Sequence, residues 1–201
     1  MKLIREQFSL LFDFLRNDLK RILLVTVIAC ITVCLIGCIV GIFSPEWCND
    51  LMHSFNDSVV ESGVKRPDGS VSVFTLMAHN WVVALTMAAT GCIPFLFIPL
   101  IYLISNFLLI GVAAAVYIHN NLSPVLFLAG IVPHGIFELT AIILALACGV
   151  YLCLSLSQMI LKRPKAPFFA DMLSNVLRVM LLITAPFLIP DIWGEIKRER
   201  E

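Results

Sequence analysis

LMAHNWVVALTMAATGCIPFLFIPLIYLISNFLLIGVAAAVYIH, residues Leu76 to His119, contains no Asp, Glu, Lys or Arg. A helix crossing the hydrocarbon core of a bilayer takes roughly 20 residues. This stretch is too long for one crossing and fits two, broken in a tight hairpin near Pro94 and Pro99. A soluble helix would carry charge on its solvent face. The segment therefore decides the class, an integral membrane protein built from helices.

Working outward gives the same reading. The chain is 60% hydrophobic and only 14% charged, with a mean hydropathy of +0.96, whereas soluble domains carry about 25% charged residues. A lone soluble enzyme domain is excluded, and no linker divides residues 1–201, so they read as a single membrane domain. Further spans are expected at about Ile22 to Phe43, His134 to Ile160 and Met172 to Trp193. With Leu76 to Ile98 and Pro99 to Ile118 these make an all-α polytopic bundle of about five spans. Val125 to Val132, between Ser123-Pro124 and Pro133, is too short to cross alone and is expected as a re-entrant or half-length helix. Before the first span, residues 1–20 place Leu3, Phe8, Leu11, Phe12, Leu15 and Leu19 at near-helical spacing among Arg5, Asp13, Arg16 and Lys20, the pattern of an interfacial amphipathic helix and not of a cleavable signal. Residues 44–75 turn polar and read as an exposed loop, with the segment from Trp47 to Val60 open to an interfacial helix.

Formal net charge is zero, and nucleic acid is not an expected partner; the lipid bilayer is. Lys2, Arg5, Arg16, Lys20 and Arg21 before the first span, and Lys162, Arg163 and Lys165 after the fourth, place the N-terminus and that loop in the cytoplasm. Of the seven cysteines only Cys48 falls in a loop, and the spacing is neither a disulfide framework nor a zinc ribbon. Cys30, Cys34 and Cys38 share one helical face and are expected to pack as small apolar residues. Gly37 with Gly41, and Gly111 with Ala115, are small-x-x-x-small steps compatible with close helix contact and with a homodimer.

Polar groups at membrane depth cost several kcal/mol unless paired, so each is a candidate functional residue. His134 and Glu138, four apart, share a helix face and can form a buried hydrogen-bonded pair, exchange a proton or hold a divalent metal. A zinc enzyme would need further ligands, for which His79 and Asp191 are the candidates, and no His-Glu-x-x-His is present. No cofactor is expected on this reading. Asn80 and Asn106 can bridge helices through their amides. Arg178 is expected to meet Glu138, Asp171 or Asp191, or to snorkel to the interface.

Taken in order, Asn80, then Asn106 before Gly111, then Pro133-His134-Gly135-x-x-Glu138-Leu139-x-Ala141 resemble the stage II sporulation protein M family over roughly Phe74 to Trp193. Asn106 is followed by Phe107 where the family has Gly, and Asp191 stands near a late family Glu. The resemblance implies a non-enzymatic membrane scaffold that holds peptidoglycan-degrading enzymes at a membrane during sporulation, or serves envelope remodelling in cells that do not sporulate. The residues themselves leave two other readings: a transporter or channel subunit using the polar cluster, and an intramembrane metalloenzyme built on His134 and Glu138.

Overall fold

The computed structural model describes residues 2–61, 73–163 and 167–187, and among these every element is helical. The helices are α1 (Lys2–Phe14), α2 (Lys20–Phe43), α3 (Pro45–Glu61), α4 (Val73–Thr90), α5 (Ile98–His119), α6 (Pro124–Ile160), α7 (Phe169–Val179) and the short α8 (Ala185–Phe187). Two π-helical turns, Leu15–Leu19 and Met180–Thr184, join α1 to α2 and α7 to α8. Among the described residues three helical runs are long and apolar enough to cross a membrane: Arg5–Phe43, Ile98–His119 and Ile136–Ile160. The interfacial helix and the first span are thus one continuous run. Of the other two expected spans, the last continues past residue 187, outside the described residues, and α4 has 18 residues.

Lipid offers no hydrophobic drive between helices, so association rests on close van der Waals packing of small residues. The α2–α5 seam shows this directly. A Cβ added to Gly111 would lie 2.0 Å from the Cys34 carbonyl oxygen, and one on Gly37 would lie 2.5 Å from that of Leu108. Gly41 meets Ala115. The two small-x-x-x-small steps therefore pack on one another within the chain and supply no argument for a homodimer. Because 37 pairs with 108 and 41 with 115, α2 and α5 run parallel.

A second seam joins α4 to α6, also in parallel. Gly91 meets Gly149 backbone to backbone, Cys153 Sγ donates to Ile93 O at 3.5 Å, and the Phe95 amide donates to Ser157 Oγ at 3.0 Å. Helix α6 is the centre of the bundle: Ala141, Ala145, Ala147, Cys148 and Leu146 are fully buried. Edge-to-face packing of Phe14 on Tyr151, with centroids 5.0 Å apart, seats α1 against it.

Helix α6 also corrects the half-helix expectation. It runs unbroken from Pro124 to Ile160, through Pro133. A proline removes one amide donor, and in a membrane bundle that loss is tolerated where neighbours compensate. The true start is Ser123, an N-cap whose hydroxyl accepts from the Val125 amide at 3.2 Å.

These pairings define two ends. At the basic end lie the start of α2 with Arg16, Lys20 and Arg21, the 91–97 turn, and the end of α6 with Lys162 and Arg163; Leu154 and Gln158 line the clefts they share. The opposite end holds the C-termini of α2 and α5, where His119 Nε2 and Gly41 O are 3.1 Å apart, and α3. Phe95 and Phe97 sit in the left-handed backbone region, a strained arrangement for aromatic residues. Ser157 holds it, accepting from Phe95 N while donating to Cys153 O at 2.6 Å.

Candidate functional site

The α4–α6 register brings together two polar residues distant in sequence. Asn80 Nδ2 donates to Glu138 Oε1 at 2.8 Å, and both side chains are half-buried. The parallel packing set by Gly91 and Gly149 puts Asn80, seven residues into α4, level with Glu138. His79, its neighbour on the helix, is exposed. The backbone of His134 lies in α6 one turn before Glu138, while its side chain and the whole of Asp191 lie outside the described residues.

Asn106 and Arg178 make their hydrogen bonds elsewhere. Asn106 Nδ2 donates to Tyr102 O at 2.8 Å, one turn back on its own helix, and so does not bridge helices through that amide nitrogen. Arg178 is half-buried on α7, where Nε donates to Gln7 Oε1 at 2.8 Å and Nη1 to Asn175 Oδ1 at 2.6 Å. Among the described residues no carboxylate forms an ion pair with it. The partner is a neutral amide from α1, a residue that a search confined to carboxylates passes over; its signal is a polar side chain among the apolar positions of α1. No three His, Cys, Asp or Glu residues among those described are grouped to hold a metal.

A different arrangement occupies the end opposite the basic one. Residues 45–61, read as part of a loop, form a helix docked on α5. Cys48, fully buried, packs with Leu51 and Met52 against Val112, Ala115 and Val116. Its Sγ lies 3.6 Å from Val112 O. Burial, with Cys38 adding to it, pushes the Cys48 thiol above its ordinary pKa. On the far side of α3 stand Glu46, Asp50, His53, Asp57 and Glu61, all exposed. At about 100° per residue these five fall within an arc of about 80°, opposite the docked face. Helix α3 contains no Lys or Arg.

A family model described as Stage II sporulation protein M matches residues 21–190. The chain belongs to that family. The match takes in both seams, Asn80, Glu138, Arg178 and α3, and leaves out α1 with Gln7. Together with the long apolar runs it makes the chain a membrane protein. Comparison with curated proteins and with solved structures gave no match.

Proposed function

We propose that this chain is a multi-pass membrane scaffold that recruits envelope proteins, peptidoglycan hydrolases among them, to the outer face of the membrane through α3. The observation that carries the reading is the docked helix with its outward acidic stripe. An unanchored loop would lose conformational entropy on binding a partner, whereas α3 is already ordered by its contact with α5. The positive-inside rule puts the basic end in the cytoplasm, with the N-terminus, and so puts α3 outside. Hydrolases that cut the wall act on that side. Reversing Glu46, Asp50, Asp57 and Glu61 to Lys should leave insertion and folding intact and abolish capture of such a hydrolase. Undiminished capture would remove α3 from the recruiting surface.

A second reading rests on the Asn80–Glu138 hydrogen bond inside the bundle. A carboxyl held there by an amide is a feature that solute or proton sites in transporters share. Purified protein in liposomes should then move a solute or protons, and Glu138→Gln should stop it. Equal flux in both proteins would end that reading.

A further inference from the structure

The guanidinium of Arg178 opens onto a cleft of about 500 Å³ lined by Gln7, Ala170, Leu173, Ser174, Leu177 and neighbouring leucines. That size falls within the roughly 300–1,000 Å³ of small-ligand sites. We infer that this cleft binds an anionic phospholipid, with the headgroup phosphate on Arg178 and an acyl chain along the leucines of α7. Of the five N–H donors of an arginine, Nε is held by Gln7 and one on Nη1 by Asn175. Among the described residues nothing takes the two hydrogens on Nη2 or the second on Nη1, which are open to a ligand. No carboxylate among the described residues balances the charge, and a cation in apolar surroundings without a counter-ion is costly.

The two amide acceptors fix the plane of the guanidinium without neutralising it, which is the preorganisation a phosphate site needs. Ser174, one turn before Arg178, adds a hydroxyl to the lining. Leu173, Leu177 and Leu181 continue from it as an exposed apolar row, which is what a chain lying along the helix would cover. A soluble anion would use the guanidinium and leave this row bare; a phospholipid uses both. Gln7 belongs to α1, outside the residues matched by the family model, so the site as built here depends on this chain's own N-terminal helix.

The test is native mass spectrometry of delipidated full-length protein titrated with phosphatidylglycerol or with diacylglycerol, which has the same acyl chains and no phosphate. The wild type should bind phosphatidylglycerol about tenfold more tightly, the ratio that roughly one charge-assisted contact supplies. Arg178→Gln should erase that preference. Should Arg178→Gln fail to fold, Ser174→Trp, which fills the cleft and keeps the charge, should erase it as well. A preference that survives the cleft-filling variant, or survives Arg178→Gln in folded protein, overturns the assignment. So does displacement of phosphatidylglycerol by millimolar inorganic phosphate, which would make the site one for a free anion.

Discussion

Replacing Gly111 by Ala tests the α2–α5 seam on which the placement of α3 depends. The added methyl would sit 2.0 Å from the Cys34 carbonyl oxygen and 2.7 Å from the Cys38 amide nitrogen, where ordinary contact begins at 3.4 Å. The obstructing atoms are backbone, so no side-chain rotation relieves the clash. Helix α2 must retreat by about 1.4 Å, the difference between 3.4 and 2.0 Å. A gap of about 0.5–1 Å already forfeits a quarter to a half of a dispersion contact, and this one would run the length of the seam. The cost should reach the upper part of the roughly 1–3 kcal/mol range for overpacking. Reversible unfolding of the purified protein in mixed micelles measures it. Gly37→Ala strains the same seam at Leu108 O, so the double variant should cost less than the sum, since helices already pushed apart admit the second methyl more cheaply. A Gly111→Ala protein within about 0.5 kcal/mol of wild type, or strict additivity of the pair, would refute the geometry.

Three further outcomes follow from single contacts. Asn80→Leu, which leaves Glu138 without its amide donor, should cost about 1–3 kcal/mol in the same unfolding assay, and Glu138→Gln, which keeps an acceptor for Asn80, should cost less. Ser123→Ala removes the cap of α6 and should cost about 0.5–2 kcal/mol; no loss would mean that the cap contributes nothing. In maleimide labelling of the micellar protein, exposed Cys92 should react well before buried Cys48. Because its pKa is raised, the Cys48 thiolate is scarce at neutral pH, and its labelling should quicken as the pH climbs; equal rates at neutral pH would contradict the docking of α3.

What was legible in the sequence is what depends on local composition. The uncharged stretch from Leu76 to His119 and the runs around it announce apolar helices, and the structure forms α4 and α5 there, α5 long and apolar enough to cross a membrane. Trp47 to Val60 was open to a helix, and α3 is one. Pro133 signals a break by its missing donor, yet one lost hydrogen bond does not end α6, which carries on past it. The two small-x-x-x-small steps were visible as contact surfaces, but nothing in one sequence says whether such a surface meets its own chain or another copy.

The site was harder to read because it is assembled by register. Asn80 and Glu138 both stand out as polar residues in apolar stretches, yet their contact depends on parallel packing of α4 on α6, fixed by backbone approach at Gly91 and Gly149. For Arg178 the sequence leaves open a carboxylate partner or snorkelling to the interface. Among the described residues it takes two neutral amides, one from α1 at a separation of 171 residues. Asn106, whose amide can bridge helices, donates to Tyr102 O on its own helix. The acidic stripe of α3 needed the helix to be known before its charges could be seen to align.

Recruitment through α3 is tested most directly by photo-crosslinking in intact cells. A photoreactive residue at Asp57, on the exposed stripe, should trap a peptidoglycan hydrolase; one at Leu51, on the face turned to α5, should crosslink within the chain; and charge reversal at Glu46 and Asp50 should abolish the first product alone. No hydrolase at position 57, or equal capture from both positions, would contradict the central claim.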